Sequence, residues 1–310
     1  MIKVLETVLP VLVMLLLGMF CRIGGFLEKK SIDNMKFLVT KIILPVAIFH
    51  ALGTTVYSKK TISIVIIMFT MLLLSFGIGF LLKPWLKGSY QKYLPFMVSV
   101  YEGGMIAYPL YCGLCGNENL SQIAMLDIAG LLFGFSVYMG LLGQVENQVG
   151  IHAVALIKEA VKSPAFLATV LGIIVGTTGL LPSLVESAAG GVYGNVEDML
   201  TRALSPLILL IVGYEMQPDM TLLKPCLKTI FLRVIVQAAM IVLVLGAIHQ
   251  VIDQNMRLDA AVITYMSAPA TFSMQSFLKE EKAGRYVSTT NSLYCFISIG
   301  VYVVLAAIYR

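Results

Sequence analysis

The stretch Val98-Ser-Val-Tyr-Glu-Gly-Gly-Met-Ile-Ala-Tyr-Pro109 places one carboxylic acid, Glu102, among residues that are otherwise apolar or small. Within a membrane such an acid costs roughly 3 kcal/mol, so an intramembrane carboxyl is by default a functional group. It suits the carriage of a proton or the binding of a cationic or neutral solute. Asp127, in the apolar run Leu120–Gly143, is a second acid of the same kind. Gly103 and Gly104 let the backbone beside Glu102 leave the helical conformation, and Tyr108 and Pro109 follow one to two turns later. A second polar stretch gathers Ser267, Thr271, Ser273 and Gln275 around Pro269. Their hydroxyls and amide could hydrogen-bond a solute, although such side chains also join membrane helices to one another. Lys41 and Arg202 each stand four residues before a proline, Pro45 and Pro206. They are candidate partners for a substrate carboxylate or for Glu102, and both can equally reach the lipid headgroups. His50, His152 and His249 are too far apart in sequence to suggest a metal set. The five cysteines are odd in number and scattered, and Cys112-x-x-Cys115 has no second pair. No metal and no cofactor are expected. Neither a His-Glu-x-x-His constellation nor a phosphate-binding Gly-x-x-x-x-Gly-Lys loop occurs, which disfavours a membrane enzyme and a nucleotide-driven pump.

The elements that must hold these residues follow from composition. Of 310 residues, 58% are hydrophobic and 13% charged. Soluble domains carry about 25% charged residues, so this chain cannot coat a water-soluble enzyme, and it is far too apolar for a disordered one. Its net charge of +5 fits cytoplasmic loops and gives no reason to expect nucleic acid. A spanning helix needs about 20 mostly apolar residues. Spans are expected at 4–21, 35–57, 61–82, 93–116, 120–143, 163–185, 199–214, 234–252, 260–278 and 286–309. The first lacks a signal-peptide cleavage site. Cations gather after the odd-numbered spans, beginning with Arg22, Lys29 and Lys30 and then Lys83, Lys87 and Lys92. The other side holds Lys3, Lys59, Lys60, Arg257 and Arg310. The positive-inside rule then puts both termini outside the cytoplasm of a multi-pass cell-membrane protein.

The two halves repeat. Thr40-Lys41-x-x-x-Pro45 aligns with Thr201-Arg202-x-x-x-Pro206 at an offset of 161, and Pro109 with Pro269 at an offset of 160. Five spans per repeat is odd, so the second copy enters the membrane from the opposite side. Inverted repeats of this kind mark secondary transporters, which bind solute near the midplane between broken helices. Spans four and nine carry mid-span prolines, and each is expected to unwind there, at Pro109 and Pro269.

At this level the chain resembles the auxin efflux carrier family, with a fold of the bile acid/auxin type. The resemblance rests on Val8-Leu-Pro-Val, Gly18 and Arg22-x-Gly-Gly-Phe in the first span and loop, and on Leu44-Pro45. In the second half it rests on Ser163-Pro164, Leu181-Pro182, Ser205-Pro206-Leu, Ala268-Pro269-Ala, Phe277-Leu-Lys-Glu280 and Ser288-Thr-Thr-Asn-Ser292. It implies an all-α polytopic protein of ten helices in two inverted repeats, with helices four and nine crossing at their breaks. It also implies transport of small organic anions. One departure stands out. Members commonly read Asn-x-Gly-x-x-Gly-x-Pro ahead of the fourth-helix proline, whereas this chain has Glu102 and Ala107 where the Asn and the second Gly stand.

The expected organisation is a first repeat over 1–143, a cytoplasmic linker over 144–162 and a second repeat over 163–310. Spans 1, 2, 6 and 7 would form a scaffold, and spans 3–5 and 8–10 a moving transport unit. The expected function is secondary active transport of small organic acids by alternating access, coupled to H+ or Na+. The alternatives are a cationic or neutral solute bound through Glu102, or a channel. The expected partners are the solute, the bilayer and a second copy in a homodimer.

Overall fold

The computed structural model describes residues 2–86, 88–146, 153–272, 274 and 278–309. Every regular element among them is helical, and there is no strand. From the N-terminus, α1 is Ile2–Ile23. Helices α2 (Lys29–Leu38) and α3 (Leu44–Gly53) join through a π turn at Val39–Ile43. Helix α4 is Lys59–Leu82. Helices α5 (Leu94–Ser99) and α6 (Tyr108–Cys115) are separated by open backbone and a second π turn, Gly103–Ala107. A third π turn, Gly134–Tyr138, joins α7 (Leu120–Phe133) to α8 (Met139–Val145). The second half contains α9 (Ala153–Lys162), α10 (Pro164–Thr177), α11 (Leu180–Glu186), α12 (Gly190–Thr201) and α13 (Leu204–Glu215). It ends with α14 (Leu223–His249), α15 (Met256–Met266) and α16 (Glu281–Tyr309).

Six stretches among the described residues are long and apolar enough to cross a membrane. They are Leu5–Ile23, Lys29–Gly53, Lys59–Trp85, Asn117–Val145, Met220–His249 and Glu281–Tyr309. A seventh is α10 with α11, bent by 71°. This is a multi-pass membrane protein, but its ten expected spans are not ten continuous helices. The fourth is divided between α5 and α6, the seventh between α12 and α13, and α15 ends at Met266 within the ninth. None of these pieces alone approaches the roughly 20 residues that a continuous spanning helix needs.

The sequence expectation of a break at Pro109 is corrected. Pro109 lies in the first turn of α6, and the chain opens at Val100–Glu102 instead. Proline lacks an N–H and its ring crowds the carbonyl four residues back. The preceding π turn inserts one residue and widens that turn, which relieves the crowding without a break. The same device recurs at Leu44-Pro45, preceded by the π turn Val39–Ile43. Pro269, by contrast, does sit in open chain, beyond the end of α15.

Two helix pairs pack backbone to backbone. In α1 against α13, a Cβ on Gly18 would collide with the Leu210 carbonyl and a Cβ on Gly213 with the Leu15 carbonyl. In α3 against α10, a Cβ on Gly176 would come 2.8 Å from the Leu52 carbonyl oxygen. Small residues at such crossings permit the close approach that holds membrane helices together by van der Waals contact. Elsewhere α4, α5, α7, α14, α15 and α16 pack on one another.

Candidate functional site

The open backbone of the fourth span meets that of the ninth. The Glu102 N–H donates to the Pro269 carbonyl at 2.8 Å. The Glu102 side chain then turns across to the second break, where its Oε2 accepts the Phe272 N–H at 2.7 Å. Its Oε1 accepts the Met105 N–H at 3.4 Å. Both are backbone donors freed where helical bonding is interrupted, the groups that bind anions at helix starts. Here the protein's own carboxylate holds them.

Asp127 of α7 lies beside this junction. Its Oδ1 accepts the Tyr265 hydroxyl at 2.7 Å and its Oδ2 the Tyr108 hydroxyl at 2.8 Å. The chain has glycine at 103 because the Asp127 carboxylate occupies the space, and a Cβ there would stand 2.7 Å from Oδ2. Gly104 is likewise pressed against Leu44. Glu102, Asp127, Gly103, Gly104, Thr271 and Lys41 all line one cavity of about 440 Å³, which is ample for a small organic solute. Its wall continues to Ser163 and Pro164 at the start of α10. A second cavity of about 440 Å³, reaching Lys29 and Asp33, shares Lys36 and Phe272 with it. Lys36 is held by Glu215, with both carboxylate oxygens within 2.9 Å of its Nζ.

The remaining sequence candidates fall elsewhere. Ser267 is buried, donates to the Thr264 carbonyl at 3.1 Å and accepts from Ser298 through its own carbonyl. It secures α15 to α16 and does not line the cavity. Arg202, at the end of α12, pairs with Asp198 in the last turn of that helix and is exposed, so it does not join Lys41 at the site. Ser273 and Gln275 lie outside the described residues. Among the described residues no group of His, Cys, Asp and Glu is placed to hold a metal.

A residue that the sequence reading passed over organises the junction. Arg233 of α14 is completely buried. It donates to the Met97 carbonyl, to the Val100 carbonyl at 3.2 Å and to the Ala268 carbonyl at 2.8 Å. Gln237, one turn on, donates to the Val98 carbonyl at 2.6 Å and accepts the Tyr101 hydroxyl. The carbonyls at the end of α5 and at the ninth-span break thus share one cation, which also opposes the negative end of the α5 dipole. The guanidinium lies 4.9 Å from the Tyr294 ring centre and 5.5 Å from that of Tyr101, within cation–π range. An intramembrane arginine four residues before a glutamine was the available signal, since buried cations are as costly as buried acids.

The profile of the membrane transport protein family matches residues 3–297. The chain belongs to that family, the auxin-efflux-carrier-like group its sequence resembles. An uncharacterized transporter from Methanothermobacter thermautotrophicus is 28% identical over 212 residues, which is 67% of this chain and 66% of the relative. A second, from Methanocaldococcus jannaschii, is 24% identical over 231 residues, 69% of each chain. The aligned part spans about two thirds of each of these relatives. This family member is therefore a transporter embedded in the bilayer by several helices.

Proposed function

We propose that this family member is a secondary active transporter. It carries a small solute through the cavity between the two broken spans by alternating access, with protons coupled at Glu102 and Asp127. The observation that carries the reading is the junction itself. Two interrupted helices meet at Glu102 and Pro269 beside two carboxylates, in a cavity large enough for a solute. Irregular backbone at membrane depth is tolerated where protein or a water-filled cavity satisfies it.

The ten-span inverted repeat gains support from the glycine crossings. The first span packs on the seventh and the sixth on the second, as a two-fold relation between halves requires. Gly53 and Gly213 stand at an offset of 160 in those two crossings. On this reading residues 1–143 and 163–310 are the repeats, α9 lies in the linker, and α1–α3 with α10–α13 form a scaffold. The rest moves against it, and dimerisation through the scaffold anchors the moving parts. The cation-rich loops face the cytoplasm, the termini lie outside, and the cavity wall at Ser163 opens inward. Organic acids, the leading substrate class from sequence, would have to displace Glu102 from its two N–H donors or meet it uncharged. A cationic or neutral solute needs neither.

The test uses Thr271→Cys in protein whose native cysteines are replaced, reconstituted in vesicles. A membrane-impermeant maleimide is applied from one side at a time, and conductance is read in planar bilayers. Labelling from each side without steady conductance is expected. Labelling from one side alone overturns alternating access, and steady ion conductance makes the protein a channel.

A further inference from the structure

The charges around the cavity are unevenly committed. Arg233 is spent on three carbonyls, Arg202 on Asp198 and Lys36 on Glu215. Among the described cavity-lining residues, Lys41 is the cation outside an ion pair, and it is exposed. Against it stand Glu102 and Asp127, each partly exposed to the cavity. Each carboxylate offers about four acceptor positions, and the bonds described above use two on each. Phe135 and Phe272, both half-buried, add aromatic faces, which attract cations through the ring quadrupole. A solute carboxylate entering here would find the N–H donors taken, and it would meet like charge at Glu102 and Asp127 unless both were protonated. An ammonium would find two carboxylates with spare acceptors and aromatic walls.

We propose that the cavity binds an organic amine as its ammonium ion, and that amine and protons compete for Glu102 and Asp127, so that the protein exchanges one for the other. With amine bound, both carboxyls are ionised. When the ammonium departs, each carboxylate takes one proton from the water on that side, and no covalent bond is made or broken. The groups facing Glu102 are Lys36 of α2, Asp127 of α7 and Cys295 of α16. Those facing Asp127 are Tyr108 of α6 and Tyr265 of α15, while Lys41 of the first π turn stands on the cavity wall. The proposal rests on the transport reading above and deepens it by naming the substrate class.

The test compares probes of matched skeleton and opposite charge on the purified full-length protein: tryptamine against indole-3-acetate, and 2-phenylethylamine against phenylacetate. Titration calorimetry in two buffers of different ionisation enthalpy measures both affinity and protons released. An alkylammonium stays charged from about pH 5 to 8, so any pH dependence belongs to the protein. The expected result is binding of the amines with proton release. Affinity should weaken by about tenfold per pH unit for each proton exchanged as pH falls. Glu102→Gln and Asp127→Asn, checked for unchanged melting, should each release one proton fewer and bind at least tenfold more weakly. Tighter binding of either acid, binding of neither amine, or pH-independent amine affinity in the unmodified protein overturns the proposal whatever the variants do. The cysteine experiment separates the two failures. Alternating labelling without amine binding removes only the substrate class, whereas amine binding with one-sided labelling removes the transport mechanism and leaves an amine site.

Discussion

A buried arginine joined to three main-chain carbonyls is hard to replace, because each carbonyl loses its partner when it goes. An unsatisfied buried acceptor costs roughly 1–3 kcal/mol. Arg233→Met therefore leaves the Met97, Val100 and Ala268 carbonyls without their donor and should destabilise the protein by about 3 kcal/mol or more. Arg233→Lys keeps the charge but replaces a planar fork with one compact ammonium, and should fall between Met and the native residue. Thermal unfolding in mild detergent gives the order, and equal melting of all three would refute it. Glu102 and Asp127 were legible in the sequence because an acid in an apolar run is conspicuous. Arg233 and Gln237 are equally polar in an equally apolar helix. Their task, capping the end of another helix, depends on a contact 130 or more residues away in sequence, which spacing along one helix does not reveal. The glycines beside Glu102 marked where the backbone could open, but the break itself was expected at Pro109. Pro109 is the obvious breaker, and only the fold shows that a π turn absorbs it.

The elements around the junction are tied at one end by a single acid. Glu146 follows α8 and accepts the Tyr93 hydroxyl at 2.6 Å and the Lys279 N–H at 3.0 Å, with Lys92 at 3.4 Å. It thereby joins the start of the fourth span, the end of the fifth and the segment ahead of α16. Burial pushes its carboxyl up, but the Lys279 N–H, the Tyr93 hydroxyl and the Lys92 ammonium outweigh burial and hold it below the usual carboxylate range. A group whose folded pKa is depressed contributes its stabilisation above the unfolded value, about 4.3 for glutamate. It loses that contribution as pH falls through the folded value. Glu146→Gln should thus melt below the native protein at pH 7, and the gap should close as pH is lowered past 4. A gap that persists unchanged at the lowest pH would mean that Glu146 acts through packing alone. The helices that carry this cluster were readable from hydropathy, but the meeting of their ends was not. Within the stretch expected as a linker, residues 153–162 form α9.

For the whole molecule, the two cavities of about 440 Å³ that share Lys36 and Phe272 lie toward the cation-rich loops. Contact toward the termini has to keep the opposite side shut. There the Tyr302 hydroxyl of α16 donates to the Thr7 carbonyl of α1 at 2.8 Å, fully buried. Gly113 of α6 lies against both Tyr302 and Val11, so α1, α6 and α16 close together at one point. On the proposed division α1 belongs to the scaffold and α6 and α16 to the moving part, so opening outward must break this bond. A neutral hydrogen bond contributes about 0.5–1.5 kcal/mol net, which corresponds to a population change of roughly two- to twelvefold when it is lost. Tyr302→Phe removes the hydroxyl and keeps the ring that fills the space. Val11, only 3% exposed in the closed arrangement, serves as the reporter when replaced by Cys in protein lacking its native cysteines. An impermeant maleimide applied on the side of the termini should label Val11→Cys two- to twelvefold faster when Tyr302→Phe is present. Labelling at Thr271→Cys from the opposite side should slow in the same preparation, because one population grows at the expense of the other. A rise in both rates would signal loosening of the whole bundle rather than a shift between two states, and unchanged rates would place the outer closure elsewhere.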